Sequence, residues 1–199
     1  YDFHLCDEGD GHAAGPQLIE INTNAGGGLL NALLARANGV CRCGENSGVT
    51  LPGMLGGETP EHLFMEMFRA EWFAERAEHG EHDNRPLGAI AIVDAAPEQH
   101  YLYPEFLLFR QLFERHGIAA TICAPEQLEW HDGALWHARQ RIDLVYNRLT
   151  DFLLTDASSD ALRRAWLAGG VVLTPHPHAY ALYADKRNRL TGIIQTNIN

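Results

Sequence analysis

Basic residues are scarce in this sequence, and their scarcity limits what the protein can bind. The 199 residues contain 15 Lys and Arg against 26 Asp and Glu, which gives a formal net charge of −11 at pH 7. Domains that bind nucleic acids need clustered Lys and Arg side chains to contact the phosphates. No nucleic-acid partner is therefore expected, although this composition is compatible with a local cationic pocket.

Long hydrophobic runs are missing as well. No stretch approaches the roughly 18 consecutive apolar residues that a membrane-spanning helix needs, and no signal-peptide pattern is present. We therefore expect no membrane partner. The sequence opens with YDFHL rather than with Met, which is typical of the inside of a strand, and this favours the interpretation that it is part of a longer protein.

The four cysteines form no familiar metal-binding pattern. Cys41 and Cys43 make a C-x-C pair without the further ligands, at recognisable spacing, that a metal site usually has. Cys123 lies in the apolar run IAATIC, which is typical of a buried, reduced thiol. These features favour a cytoplasmic, reducing compartment and leave the role of the C-x-C pair open.

Two common kinds of catalytic motif are absent. The apolar run that ends at Val93 is followed by DAAPEQH, which is not the G-x-G-x-x-G loop of a dinucleotide-binding domain. No Ser–His–Asp or Cys–His arrangement stands out either, so no catalytic nucleophile is assigned.

The second half of the chain has the alternating pattern of an α/β protein. Residues 88–95 form a continuous apolar run, which is typical of a strand buried on both faces. A helix over 104–116, strands over 118–123 and 142–148, and a hairpin turning at Asp132-Gly133 are predicted around it. We expect a mainly parallel sheet over 87–175 with helices on both faces and 88–94 as a central strand.

A long helix is predicted over residues 61–78, starting after Thr59-Pro60. Its apolar positions form a broad stripe, which indicates packing against a neighbour. A shorter helix is predicted over 29–37.

The first 30 residues contain the most informative pattern. Strands over 1–6 and 17–22 are predicted to pair as a hairpin, and alternation puts Glu20 and Asn22 on one face of the second strand. With an even register, Asp2 and His4 share that face. An exposed polar strand edge is the alternative reading of the same residues.

Two neighbouring carboxylates repel each other, and a hard divalent cation relieves that repulsion. The polar face therefore predicts a Mg²⁺ site formed by Asp2, Glu20 and Asn22. The glycines that follow, including Gly26 and Gly27, would allow a ligand to approach the backbone closely. Their N–H groups could bind an anion at the start of the next helix.

A strand with Asp followed by a strand with the pattern E-I-N-x-x-x-G resembles the metal-binding end of the ATP-grasp ligases. In that family the matching Asp, Glu and Asn hold the Mg²⁺ ions bound to ATP, which implies these roles for Asp2, Glu20 and Asn22. The ADKRN element is similar to the D-K pair that opens the ATP-grasp domain. The resemblance therefore implies that Lys186 contacts the nucleotide phosphates.

The order of these motifs resembles the circularly permuted ATP-grasp group, which includes glutathione-synthetase-like ligases such as glutathionylspermidine synthase. The resemblance implies a C-terminal-type ATP-grasp segment over 1–58, a connecting helix over 59–86 and a Rossmann-like pre-ATP-grasp domain over 87–184. Residues 185–199 would begin an incomplete ATP-grasp domain. TGIIQTNIN does not resemble the lid that should follow, so this chain alone is expected to bind ATP poorly.

The resemblance implies an ATP-dependent carboxylate–amine (or thiol) ligase acting through an acyl phosphate. Its partners would be small-molecule carboxylate and amine substrates, with a homodimer as a possible assembly. Asn147, Arg148 and Asp151 follow a predicted buried strand, where open α/β sheets bind ligands, so they are candidate substrate residues. A loop that satisfies its own backbone is the alternative for these three. The alternative function is a non-catalytic binding module that retains the same scaffold.

Overall fold

A computed structural model describes residues 2–5, 16–40, 59–80 and 85–184. The chain divides into two compact units, one formed by Tyr1–Ala25 with Pro175–Asn199 and the other by Gly26–Thr174. We describe each unit by itself. In the described part of the chain, no helix is both long and apolar enough to cross a membrane.

The first unit contains the predicted hairpin. Strands β1 (Asp2–Leu5) and β2 (Pro16–Glu20) pair in antiparallel fashion. The register shifts once, because Asp2 pairs with Glu20 whereas Phe3 pairs with Leu18. One residue of β2 is therefore left over, as in a β-bulge. Near the other end of the chain, this unit contains a single helical turn, Pro177–Ala179, which continues into a π-helical turn, Tyr180–Ala184.

The second unit contains the α/β layer. Its helices and longer strands, in chain order, are α1 (Gly28–Val40), α2 (Pro60–Glu78), β3 (Ala89–Val93), α3 (Tyr103–Arg115), β4 (Ala119–Cys123), β5 (Leu128–His131), β6 (Ala134–His137), β7 (Gln140–Ile142), β8 (Leu144–Asn147), α4 (Asp160–Leu167) and β9 (Val172–Thr174).

Four of these strands form a parallel sheet in the order β4-β3-β8-β9. Every residue of β3 is buried, and β3 has a partner on each side. The prediction of a mainly parallel sheet with a central strand over 88–94 is therefore confirmed. The physical reason is that a strand covered on both faces keeps all of its side chains away from water, so a continuous apolar run suits it.

Alternation along the strands divides the core in two. Ile90 and Ile92 point to a cluster that contains the Phe side chains of α3 and the buried residues of α2. Ala91 and Val93 point to a second cluster, which contains buried apolar residues of α4 and of strands β5 to β7. The sheet thus has helices on both faces, as the sequence predicts.

Helix α2 confirms the predicted helix over 61–78. The Thr59 side chain accepts a hydrogen bond from the His62 N–H at 3.2 Å, and Pro60 occupies the first turn, where it needs no N–H partner. The α2 side chain Phe68 makes edge-to-face ring contacts with Phe109 and Phe113 of α3, with centroids 6.0 and 5.0 Å apart.

The region between β4 and β8 is more divided than expected. Strands β5, β6 and β7 form an antiparallel sheet, and the predicted turn at Asp132-Gly133 is confirmed, with φ angles of 52° and 69°. The single strand predicted over 142–148 is confirmed in part. Strand β8 (Leu144–Asn147) covers its middle, whereas Ile142 ends β7, and the chain passes from the antiparallel to the parallel sheet at Asp143.

Candidate functional site

The polar end of the β1–β2 hairpin brings together the residues predicted to hold a metal. Asp2 pairs directly with Glu20 across the hairpin. The Asn22 amide Nδ2 donates a hydrogen bond to Glu20 Oε1 at 3.3 Å. Asp2 and Asn22 are exposed and Glu20 is half-buried. Three oxygen-bearing side chains therefore lie at one end of the hairpin, open to solvent.

The predicted even register holds only at this end. Beyond the bulge, Phe3 pairs with Leu18 and His4 pairs with Gln17. The even register that the prediction for His4 required therefore does not continue past the bulge, because one residue of β2 is skipped. The predicted oxygen cluster consists of Asp2, Glu20 and Asn22.

The cluster contains two carboxylates that face each other across the hairpin. Like charges directly opposite each other on antiparallel strands destabilise the pairing, and Asp2 and Glu20 are in that position. Within the described residues, no group of three or more His, Cys, Asp and Glu side chains is placed to hold a metal ion. A metal bound here would need the Asn22 carboxamide as its third ligand, together with water or phosphate oxygens, a ligand set that suits Mg²⁺.

The glycines after the hairpin belong to the second unit, and a buried carboxylate binds their backbone. Glu105, which is only 1% exposed, accepts a hydrogen bond from the Gly27 N–H at 2.5 Å and another from the Leu29 N–H at 2.9 Å. These N–H groups lie at the start of α1, where a helix has free donors and favours a negative charge. The anion found at this helix start is therefore a side chain of the protein itself.

Close packing also constrains these glycines. A Cβ on Gly26 would lie 2.3 Å from Leu102 Cδ1 and 2.8 Å from Arg148 Nη2, and Gly27 has a φ of +89°. Both positions thus require glycine for reasons of backbone geometry and space. The nucleotide-binding role of Gly26 and Gly27 stays a prediction, and a phosphate at these N–H groups would have to replace Glu105.

The carboxyl end of β8 carries two of the predicted substrate residues. Asn147 is fully buried, and its Oδ1 accepts a hydrogen bond from the Leu149 N–H at 3.1 Å. The Arg148 N–H donates to the Val93 carbonyl at 2.8 Å, which links β8 to the end of β3. Both residues therefore lie at the carboxyl ends of the parallel strands, where open α/β folds bind their ligands.

The Arg148 side chain lies against Tyr146. Its guanidinium carbon is 5.4 Å from the ring centroid, and Nη1 is 3.5 Å from the hydroxyl. Burial raises the pKa of the Tyr146 hydroxyl, although the positive charge of Arg148 opposes that shift. Tyr146 therefore stays a neutral phenol that fixes the position of the arginine.

Asp151 supports its own loop. Its carboxylate accepts hydrogen bonds from the backbone N–H groups of Thr155 and Asp156, each at 2.9 Å, and from the Thr155 hydroxyl at 3.2 Å. Burial alone would raise the pKa of Asp151, but these hydrogen bonds and one from Ser159 outweigh it and lower the pKa. These contacts match the alternative in which the loop satisfies its own backbone.

A polar cluster lies at the amino ends of the parallel strands, and the sequence did not predict it. Asp143 is 6% exposed and accepts hydrogen bonds from the N–H groups of Gly88 and Ala89 at 3.0 and 3.1 Å, and from Arg85 Nη1 at 2.9 Å. The guanidinium of Arg85 also lies 4.8 Å from the Trp72 ring centroid. A small open cleft lies beside these residues, and its lining includes Glu75, Arg141 and Gly169.

Sequence signals for Asp143 and Glu105 are weak. Each is a single acidic residue beside an apolar run, and its partners are distant in the sequence, 54 residues for Asp143 with Ala89 and 76 for Glu105 with Leu29. Glu105 lies in the first turn of α3, where acidic residues are common for purely local reasons. Neither partnership could have been read from local spacing.

Other predicted features lie outside the described residues. These are Lys186, the C-x-C pair Cys41 and Cys43, and the segment 185–199. A comparison of the chain with protein-family models and with curated proteins gave no match.

Proposed function

We propose that this chain is part of an ATP-dependent ligase of the circularly permuted ATP-grasp type. The observation that carries the proposal is the meeting of Asp2, Glu20 and Asn22 at one end of the hairpin. These three residues match the family's metal-binding motif. Two carboxylates that face each other repel, and a divalent cation bound between them would relieve that repulsion.

The proposed reaction joins a carboxylate to an amine or a thiol. A carboxylate oxygen of the substrate attacks the γ-phosphorus of ATP, and the bond to the bridging oxygen breaks, which gives an acyl phosphate and ADP. The amine then attacks the acyl carbon, inorganic phosphate leaves and the amine loses a proton. Such chemistry depends on positioning and charge stabilisation rather than on a protein nucleophile.

Each candidate residue has a defined role in this proposal. Asp2, Glu20 and Asn22 would hold Mg²⁺, which supplies positive charge to the transferring phosphoryl group. Lys186 would contact the nucleotide phosphates. Arg148 would bind the carboxylate of the substrate, because a guanidinium offers two parallel N–H donors to such a group. Asp151 is a weaker candidate, since its carboxylate already caps its own loop.

A non-catalytic binding module is the second candidate. The observation that favours it is the use of the Gly27 and Leu29 N–H groups by Glu105. An active nucleotide site would leave such donors for phosphate. In a binding module, the same contact would only stabilise the start of α1.

Metal binding to Glu20→Gln separates the two candidates. Mn²⁺ takes the same oxygen ligands as Mg²⁺, and its binding can be followed by electron paramagnetic resonance. We expect the variant to weaken Mn²⁺ binding at least about tenfold, a loss of about 1.4 kcal/mol, and to abolish Mg²⁺-dependent ADP formation in the complete protein. The matched control is Glu129→Gln, which makes the same charge change at an exposed position of β5.

The two variants should differ only at the metal site. Both should keep the circular dichroism spectrum of the unaltered chain, because Glu20 is only half-buried and Glu129 is exposed. Equal Mn²⁺ affinity in both variants would contradict the metal site. Loss of metal binding without any ATP consumption in the unaltered complete protein would favour the binding module.

A further inference from the structure

Helix α2 carries large apolar side chains on two opposite sides. On one side, Met65, Phe68 and Trp72 are at most 2% exposed and pack in the core. On the other side, Leu63, Met67 and Phe73 are 48%, 43% and 46% exposed. The sequence predicts one broad apolar stripe on this helix, and the core covers only part of it.

The exposed side is apolar along the whole helix. At about 100° of rotation per residue, seven positions fall within an arc of roughly 120° on this side. We call this arc the outer face of α2. Its members are Leu63, Glu66, Met67, Ala70, Phe73, Ala74 and Ala77, all of them exposed.

An outer face of this kind is unusual for a helix in contact with water only. The solvent side of an amphipathic helix is normally polar, whereas here only Glu66 carries a charge. Burying Leu63, Met67 and Phe73 against another apolar surface would remove their apolar area from water and so stabilise a complex. The outer face therefore has the composition of an interaction surface.

The charges beside the outer face indicate which partner fits. Arg69 Nη1 lies 2.9 Å from Glu66 Oε1 along the same flank. Glu66 and Arg69 thus carry opposite charges side by side. If a two-fold axis passes between them, each of these charges faces the opposite charge on a second copy. Such an axis would set Glu66 of one copy against Arg69 of the other, and the reverse pair would form at the same time.

We propose that a second copy of this chain docks on the outer face, with the two α2 helices antiparallel. The axis between Glu66 and Arg69 passes close to Met67, so the two Met67 side chains meet at the centre. The same axis sets Leu63 of one copy near Phe73 of the other. Ala70 beside the centre lets the two backbones approach closely.

The mass of the chain in solution tests this proposal. Sedimentation equilibrium over a range of concentrations should show a monomer–dimer equilibrium. A central interface residue often accounts for most of the binding, so Met67→Asp should raise the dissociation constant at least about 100-fold. Phe73→Asp should act in the same direction. The matched control is Leu167→Asp, on the 65% exposed Leu167 of α4, which should leave the dissociation constant unchanged.

A charge swap tests the pairing itself. Glu66→Arg alone and Arg69→Glu alone place like charges opposite each other twice, and each should weaken the dimer about 5- to 10-fold. The double variant E66R/R69E restores opposite charges and should recover the original dissociation constant. Circular dichroism checks that all variants stay folded, which their exposed positions favour.

Three results would overturn the proposal. The first is a monomer at every concentration, and the second is a dimer that Met67→Asp and Phe73→Asp leave intact. The third is a double charge variant that dimerises as weakly as the single variants. The proposal does not depend on the ligase activity, so its failure would leave the proposed function untouched.

Discussion

At the scale of single residues, Glu105 determines how α1 begins. Its carboxylate binds two N–H groups that belong to a segment 76 residues earlier in the chain. Local sequence places no Ser, Thr, Asp or Asn cap directly before α1, since the three residues there are Ala25, Gly26 and Gly27. A distant side chain therefore does what a local cap usually does.

We expect Glu105→Ala to lower the free energy of unfolding by about 2–3 kcal/mol, because two N–H groups would lose a charged acceptor. Glu105→Gln should cost less, since one amide oxygen can still accept. Urea unfolding followed by circular dichroism gives the values. Glu114→Ala, on the same helix at a side chain 53% exposed, is the control, and equal losses in Glu105→Ala and Glu114→Ala would contradict this role.

Cys123 gives a prediction on reactivity. Burial raises the pKa of its thiol to about 12, and the nearby Glu126 carboxylate adds to that shift. Because the thiolate is the reactive form, iodoacetamide at pH 8.5 should leave Cys123 unmodified in the folded chain and alkylate it in urea. Mass spectrometry of the peptide that contains Cys123 measures both. Rapid alkylation without urea would show that the thiol is accessible.

The same shift affects stability only at high pH. An unfolded chain releases the Cys123 proton near pH 9, whereas the folded chain keeps it until about pH 12. The folded state therefore binds more protons in this window, and the contribution of Cys123 to stability is lost as the pH rises from 9 towards 12. Below pH 9 both states keep the proton, so the contribution of Cys123 to stability does not depend on pH there.

At the scale of elements, the two turns of the β5–β6–β7 sheet form a matched pair. Gly133 and Ala138 both have positive φ angles, 69° and 52°. A side chain at such an angle costs about 1–2 kcal/mol relative to glycine. Nothing lies within 4 Å of a Cβ built on Gly133, so only the backbone term applies there.

Gly133→Ala should therefore lower the free energy of unfolding by about 1 kcal/mol, and Ala138→Gly should raise it by a similar amount. Both changes concern one methyl group on the same small sheet, which makes each the control for the other. Urea denaturation measures the two shifts. Shifts of the same sign would mean that side-chain packing, not backbone conformation, decides these positions.

Elements with a strong local pattern could be predicted from the sequence, and long-range polar contacts could not. The run AIAIV predicts β3 because its burial on both faces demands apolar side chains throughout. The prediction of one strand over 142–148 did not separate β7 from β8, because the two strands pair with different sheets and local sequence does not specify these pairings. The hairpin was predicted, but its bulge was not, since period-2 alternation contains no information on a skipped residue.

The sequence predicted the part of the candidate site that depends on local pattern, and it did not predict the contacts that depend on packing. Asp2 and Glu20 meet because they are paired across the hairpin, and Asn22 lies two residues beyond Glu20 and bonds to it. Period-2 alternation predicts both relations. For Asp151 the sequence leaves two alternatives, a substrate residue and a loop residue. Its carboxylate binds the Thr155 and Asp156 N–H groups, which depends on how the loop folds back. Glu105 was missed, because only the packing of α3 against α1 explains it.

At the scale of the whole molecule, the two hydrophobic clusters lie entirely within Gly26–Thr174. Residues 26–174 produced alone should therefore unfold cooperatively in urea. A matched fragment, 26–170, lacks β9 and loses the buried Val172 and Leu173, so it should unfold without a sharp transition. Equal behaviour of the two fragments, or a non-cooperative transition in the longer one, would contradict this independence.

The parallel sheet also has a consequence for the speed of folding. Ala89 and Asp143 meet across a 54-residue interval, and closing such long loops costs entropy before packing compensates. We therefore expect the central strand to form in the slow step, at a rate between those of helical bundles and of all-β domains. In stopped-flow refolding, Ile92→Val should mainly slow folding, whereas Glu105→Gln should mainly speed unfolding. Equal effects of both changes on the refolding rate would mean that α1 docks before the rate-limiting step.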